Sequence, residues 1–263
     1  MSFNSVSMER QFTQKEGRPY QENPLDLLVH TAVSFIPILE GDILFTPEDN
    51  AILSLSAGEP EKSLTILHST LKQAHPEAGA PYWRVRCWGL VCWQPLYLAL
   101  ICVYQLKSVP LNLQHLVQRQ QNTMVAGYQL APGQWQTGAQ GDLIQMVCQS
   151  LSIMFKTLQD AHLALFGGKP VLYQTLLADQ LLASLLVAGK LLPECDEAAM
   201  TTDFRHWAEA LKLPLTPLKG LQVSADQTTQ FVRQSCCLHF RRDDGALCSD
   251  CPRQKTKNHK KVN

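Results

Sequence analysis

Four of the nine cysteines in this 263-residue chain crowd into the stretch SCCLHFRRDDGALCSDCPR. Cys236 and Cys237 are adjacent, ten residues separate them from Cys248, and two more separate Cys248 from Cys251. A deprotonated thiolate is a soft ligand, and four of them complete the shell of an iron–sulfur cluster or of a zinc ion. The Cys-x-x-Cys pair lets two sulfurs approach a metal across the turn supplied by Ser249-Asp250. Asp243-Asp244-Gly245 supplies the reversal that brings the first pair back to the second. Structural zinc sites use spaced pairs, and adjacent cysteines chelate one tetrahedral ion only by straining the peptide between them. A two-iron cluster is larger and takes vicinal sulfurs with less distortion. This favours iron–sulfur and leaves zinc open.

Other chemistry is scarce. The chain has no His-Glu-x-x-His, no phosphate-cradling Gly-x-x-x-x-Gly-Lys loop and no Gly-x-Gly-x-x-Gly. No nucleophilic triad or carboxylate pair stands out. A net charge of zero argues against a nucleic-acid binder that works by neutralising phosphates. The start is polar and mixed in charge, without the basic end and apolar stretch of a secretory signal, so a cytoplasmic protein is expected. In that reducing setting clustered cysteines suggest metal ligation before disulfides. Cys87, Cys92, Cys102, Cys148 and Cys195 are scattered in or beside apolar helices and read as small hydrophobes. His162 and His206 have no ligand constellation around them and read as structural or surface residues.

The elements that must hold the cysteines are mainly helical. With 45% apolar residues, the chain has ample material for a core. Residues 1–22 read as a loose lead-in. Asn23 is placed to cap a helix whose first residue is Pro24, with Leu25, Leu28, Val29, Ala32, Val33 and Ile36 as its buried face and Pro37 ending it. Ser63–His75 is amphipathic. Tyr82–Lys107 is the most apolar helix, with Pro95 expected to bend it. Its uncharged run Cys87–Leu106 just reaches the length of a membrane span, but Gln94, Pro95 and Gln105 make a core helix the better reading. Between Leu116 and Gly138, Gly127, Pro132-Gly133 and Gly138 are spaced like a short β-hairpin. Helices are predicted from Asp142 to about Leu165, closed by Phe166-Gly167-Gly168, then over Val171–Leu192 and Asp196–Leu211. Pro214 and Pro217 mark a boundary. The expected organisation is a helical body at 23–213, a metal-binding segment at 214–253 entered by a strand in QTTQFVRQSCCLHFRR, and a basic tail at 254–263.

The motif Cys-Cys-x10-Cys-x2-Cys at the end of an otherwise helical chain of this length resembles FhuF-type ferric siderophore reductases. The order of helices and the segment WRVRCWGLVCWQPLY (residues 83–97) add to the resemblance. Phe166-Gly167-Gly168-Lys169 stands where many relatives carry aromatic-Gly-Asn, and departs from that pattern. The resemblance implies a [2Fe–2S] cluster held by Cys236, Cys237, Cys248 and Cys251, which serve as the electron-transfer centre. It implies one-electron reduction of Fe(III) held by a hydroxamate or carboxylate siderophore, releasing Fe(II) inside the cell. The donor would be external, such as a ferredoxin, a flavodoxin or their reductase, since no flavin or nicotinamide motif is visible. Peripheral contact with the cytoplasmic face of the inner membrane is left open.

Several residues could serve such a reaction. Arg84, Arg86 and Trp88 in the body and Arg241 and Arg242 beside the cysteines are candidate substrate contacts. Arg84 and Arg86 are two apart on a helix, so at most one faces a ligand. Trp83 and Trp93 are further candidates, although tryptophans at helical spacing read first as core, and Trp135, expected in the hairpin loop, is another. His239 and Arg253 also flank the cysteines. Residues 231–263 hold eight Lys/Arg against three Asp, a net of +5. Of these, Lys255, Lys257, Lys260 and Lys261 read as a solvated tail. Two other classes compete: a zinc-stabilised binding or scaffold protein, and an iron–sulfur redox sensor without turnover.

Overall fold

A computed structural model describes residues 23–41, 52–54, 60–191, 197–223 and 229–254. The lead-in at 1–22, Cys195 and the tail lysines therefore lie outside the described residues. The fold is mainly α. Helix α1 (Pro24–Phe35) starts as expected, with the Asn23 side chain accepting from the Leu25 N–H at 3.1 Å. It buries Leu28 and Ala32, but Val33 is 39% exposed, which corrects its assignment to the buried face. After β1 (Ile52–Ser54), helix α2 (Pro60–Ala74) buries Leu64, Leu67 and Leu71 at the predicted spacing.

Helix α3 (Gly79–Ile101) is the centre of the body and packs against α2, and against α4 and α5 described below. It continues through Pro95, then widens into one π-helical turn at Cys102–Leu106. That turn ends at Lys107, which adopts the left-handed conformation. Residues 76–106 are apolar and long enough to cross a membrane, yet 83% of their most apolar window is buried inside the fold. Here α3 fills a core, as the polar Gln94 and Gln118 suggest: Gln94 Nε2 donates to Gln118 Oε1 at 3.0 Å, and Gln118 Nε2 to the Val91 carbonyl at 3.0 Å.

The strands after α3 depart from the predicted hairpin. β2 (Ser108–Pro110) is followed by β3 (Val117–Gln121) and β4 (Met124–Gln129), which pair antiparallel, with β1 on the other side of β3. The turn of this hairpin is Asn122-Thr123, with Asn122 at φ 51°, and not Pro132-Gly133. The latter leads instead into β5 (Trp135–Thr137), which returns to pair with β2. Gly133 is there for contact: a Cβ on it would lie 2.7 Å from the Asn112 side chain.

Helix α4 (Gln140–Phe166) ends where expected, with Gly167 at φ 65° and its N–H bonded to the Leu163 carbonyl. Helix α5 (Pro170–Leu191) follows, and α6 (Glu197–Ala210) crosses α4 and α5. α5 is a second helix long and apolar enough to span a membrane, with 61% of its window buried. A buried network pins α6 in place. Tyr104 Oη and Gln140 Nε2 each donate to Asp203 at 2.8 Å, and Trp207 Nε1 donates to Tyr104 Oη at 3.0 Å. The remaining strands, β6 (Leu221–Val223) and β7 (Thr229–Phe231), form a two-stranded ladder that delivers the chain to the cysteines.

Candidate metal centre

The approach to the cysteines is fixed residue by residue. The β6–β7 ladder extends through the Val232 N–H, which bonds to the Gly220 carbonyl at 2.9 Å. Gly220 is required there, because a Cβ would lie 1.9 Å from the Val232 oxygen. Arg233 then grips Asp250 twice: its N–H bonds to the Asp250 carbonyl at 3.0 Å, and its guanidinium to the carboxylate at 2.8 Å. Next, Gln234 and Ser235 present their N–H groups to Asp179 of α5 at 3.0 and 2.7 Å, and the Ser235 hydroxyl joins the same carboxylate. Asp179 is 1% exposed, so the chain just before Cys236 is tied to the centre of the body.

Beyond the vicinal pair, Leu238 adopts the left-handed conformation at φ 59° and turns the chain. Its N–H points back at Cys236 Sγ, 3.4 Å away. The predicted reversal is present: the Gly245 N–H bonds to the Arg242 carbonyl at 2.9 Å. A Cβ on Gly245 would lie 2.1 Å from the His239 carbonyl oxygen, so only glycine lets the loop close. The turn between Cys248 and Cys251 closes by a Cys251 N–H to Cys248 carbonyl bond of 3.1 Å.

These turns gather four unbridged thiols. Cys237 Sγ lies 3.2 Å from Cys248 Sγ, and Cys236 faces Cys251 closely enough for a thiol–thiol contact. Cys251 is buried and the other three are half-buried. Among the described residues no three His, Cys, Asp or Glu side chains converge on one ion-sized point. The sulfurs meet as two nested pairs, Cys237 with Cys248 inside Cys236 with Cys251.

Within the first pair the roles differ. Burial alone would push the Cys237 thiol up, but the His239 N–H, the Cys248 thiol and the Arg233 guanidinium at 3.6 Å together bring it below its ordinary value. Cys248 is pushed up to about 11, by burial first and then by its bond to Cys237 and that neighbour's charge. Burial likewise raises Cys236.

Residues 233–253 match the FhuF 2Fe-2S C-terminal domain. No solved structure matches the chain. The FhuF match begins at the arginine that grips Asp250 and ends just past the last cysteine, and it indicates a [2Fe–2S] cluster. The donor set fits one. Four sulfurs in two pairs suit two irons, and the N–H groups of Leu238, His239 and Arg233 aim at sulfurs, as iron–sulfur sites require to stabilise their charge.

The other predicted residues fall in different places. Arg86, half-buried, lines a cavity beside Cys237. Arg84 lies on another face of α3, where its guanidinium donates to the Phe166 carbonyl at 3.4 Å at the end of α4. Trp88 is 1% exposed and donates to the Tyr173 carbonyl at 3.1 Å, deep in the core. Trp83 bonds to the His75 carbonyl, and Trp93, which bonds to the Val125 carbonyl, also lines the cavity beside Cys237. Trp135 is in β5, not in a hairpin loop. Arg241 docks the FhuF-type segment onto the Ala78 carbonyl at 3.3 Å, and Arg242 forms a two-pronged pair with Asp244. Arg253 stacks over Phe240 at 4.3 Å.

Cys87, Cys92, Cys102 and Cys148 are buried, and burial pushes each thiol well above its ordinary value, so they are inert apolar fillers. His206 is surface-exposed, whereas His162 is fully buried. Sequence reasoning passed over Arg233, Asp179 and Gln180. The one available signal was Arg233, a lone cation three residues before the vicinal cysteines.

Proposed function

We propose that the protein is a ferric-siderophore reductase acting in the cytoplasm. In this reading the cluster held by Cys236, Cys237, Cys248 and Cys251 supplies one electron, which reduces siderophore-bound Fe(III) to Fe(II) and loosens the hard-oxygen chelate. The observation that carries the reading is the pairing of four thiols, ringed by N–H donors, in the segment that matches the FhuF domain. The protein's own residues bind and orient. Arg233 and the backbone of Leu238 and His239 stabilise thiolate charge. Asp179 holds the loop to α5, and Arg86 offers a cation where a chelate can approach. No general acid, base or nucleophile is needed. With no nicotinamide or flavin motif in the chain, the electron comes from an external donor such as a ferredoxin, a flavodoxin or their reductase.

The test is spectroscopic first. Anaerobically purified protein should absorb in the visible, bleach with dithionite and show a paramagnetic signal that Cys237→Ser and Cys248→Ser lose. The prereduced protein should then convert a ferric siderophore to Fe(II). A colourless protein holding stoichiometric zinc would remove the electron carrier. A coloured protein that cannot reduce any ferric chelate would point to a sensor. Oxidation of NAD(P)H by the purified chain alone would refute the external donor.

A further inference from the structure

Beside Cys237 lies a cavity of about 280 Å³, walled by α3, β4, α5 and the cysteine segment. Its polar lining includes two guanidinium groups with different circumstances. Arg233 is neutralised by Asp250 at 2.8 Å. Arg86 is half-buried, and among the described residues its guanidinium donates one hydrogen bond, to Met124 Sδ at 3.2 Å, an uncharged and weak acceptor. Among the described residues no carboxylate pairs with it. A guanidinium drawn partly out of water costs free energy unless an anion meets it. Its planar fork is suited to two oxygens of one carboxylate or hydroxamate group. Trp93 and Met124 supply an apolar wall, and Gln180, which bonds to the Gly89 carbonyl, adds a polar group to the lining.

We propose that this cavity is an anion subsite in which Arg86 binds one oxygen-rich, negatively charged arm of the ferric chelate against Cys237. The proposal rests on the reductase reading and adds to it a place and a charge preference. The volume decides how much of the chelate enters. Drug-sized ligands occupy pockets of roughly 300–1,000 Å³, so about 280 Å³ takes a single chelating arm and leaves the rest of the complex at the mouth. Arg84 and Trp88 are excluded from the subsite, since neither lines it. Anionic chelates are therefore preferred over cationic ones of the same size.

Gallium(III) citrate is a redox-inert, anionic oxygen chelate, and its binding can be measured by calorimetry with no electron transferred. Arg86→Gln should weaken that binding about tenfold or more, as expected for loss of a charged hydrogen-bonded contact. Arg86→Lys, which keeps the charge and loses the fork, should fall between the two. The reduced-protein paramagnetic signal and the thermal midpoint of both variants should match those of the unaltered protein, because among the described residues Arg86 donates to no acceptor beyond Met124. Equal gallium citrate affinity in all three proteins, or no binding by any, overturns the subsite. Reduction of ferric citrate that is undiminished by Arg86→Gln also overturns it and leaves the reductase reading standing. A coloured, reducible protein that transfers no electron to any ferric chelate sinks the reductase reading itself.

Discussion

Asp179 accepts from the Gln234 and Ser235 N–H groups and from the Ser235 hydroxyl, at a position 1% exposed. Asp179→Ala removes the acceptor and leaves these donors facing an apolar gap. The hydroxyl can turn to another partner, but the two amides cannot. A buried donor left unpaired costs about 1–3 kcal/mol, so the pair costs about 2–6 kcal/mol. Water can reach both amides if only residues 233–237 lift away from α5, so the loss should appear as local opening rather than global unfolding. At the low end, about 2 kcal/mol raises the open population roughly thirtyfold. Hydrogen exchange resolved by residue is the direct assay. Gln234 and Ser235 should lose protection by that factor or more, while the buried amides of α3 and α5 keep theirs. Asp179→Asn keeps one acceptor oxygen and should lie between. In the cluster-loaded protein, iron release to a chelator should accelerate in the same order. Unchanged exchange at 234 and 235 in the alanine variant would refute the reasoning. So would an equal loss of protection across α3 and α5.

Three further outcomes follow from the geometry. His162 is fully buried, and among the described residues neither ring nitrogen finds a partner in hydrogen-bonding geometry; burial, His68 and Arg84 push its pKa down to about 4. The unfolded chain takes the proton first, near 6.5, so stability is lost as pH falls through 6.5 and levels off below about 4. The whole window is worth roughly 3 kcal/mol, and His162→Leu should remove most of that slope from urea-unfolding free energies measured between pH 7 and 4.5. Parallel curves for the two proteins would contradict this. Gly245→Ala forces a Cβ against the His239 carbonyl and should cost about 1–3 kcal/mol, with faster iron loss; iron retention equal to that of the unaltered protein would count against the loop geometry. In native cluster-free protein, a thiol reagent should modify Cys237 first, because its thiol lies below its ordinary value, and Cys236 and Cys248, whose thiols are raised, more slowly. Cys87, Cys92, Cys102 and Cys148 should react only on unfolding, which peptide mapping would check.

Much of the helical frame was legible in the sequence because helix signals are local. Asn23-Pro24 caps its own helix, the leucines of α2 repeat every three or four residues, and Gly167 stops α4 within one turn. The cysteine spacing and the Asp-Asp-Gly reversal are likewise local, and together they announced a sulfur-ligated centre. The hairpin was misplaced because Asn122-Thr123 and Pro132-Gly133 are both competent turns. Which one joins paired strands depends on partners such as β2 and β1, far away in the chain. Val33 shows the same limit: periodicity marked it for burial, but among the described residues no element covers that side of α1. Only the tertiary structure sent Arg86 toward Cys237 and Arg84 toward the end of α4, because faces of one helix acquire meaning from what packs on them. It alone joined Asp179 to Ser235, which are 56 residues apart. The ligand types were thus written in the sequence, while their nested pairing and their anchoring to α5 come from tertiary contacts, which leave no periodic trace in the chain.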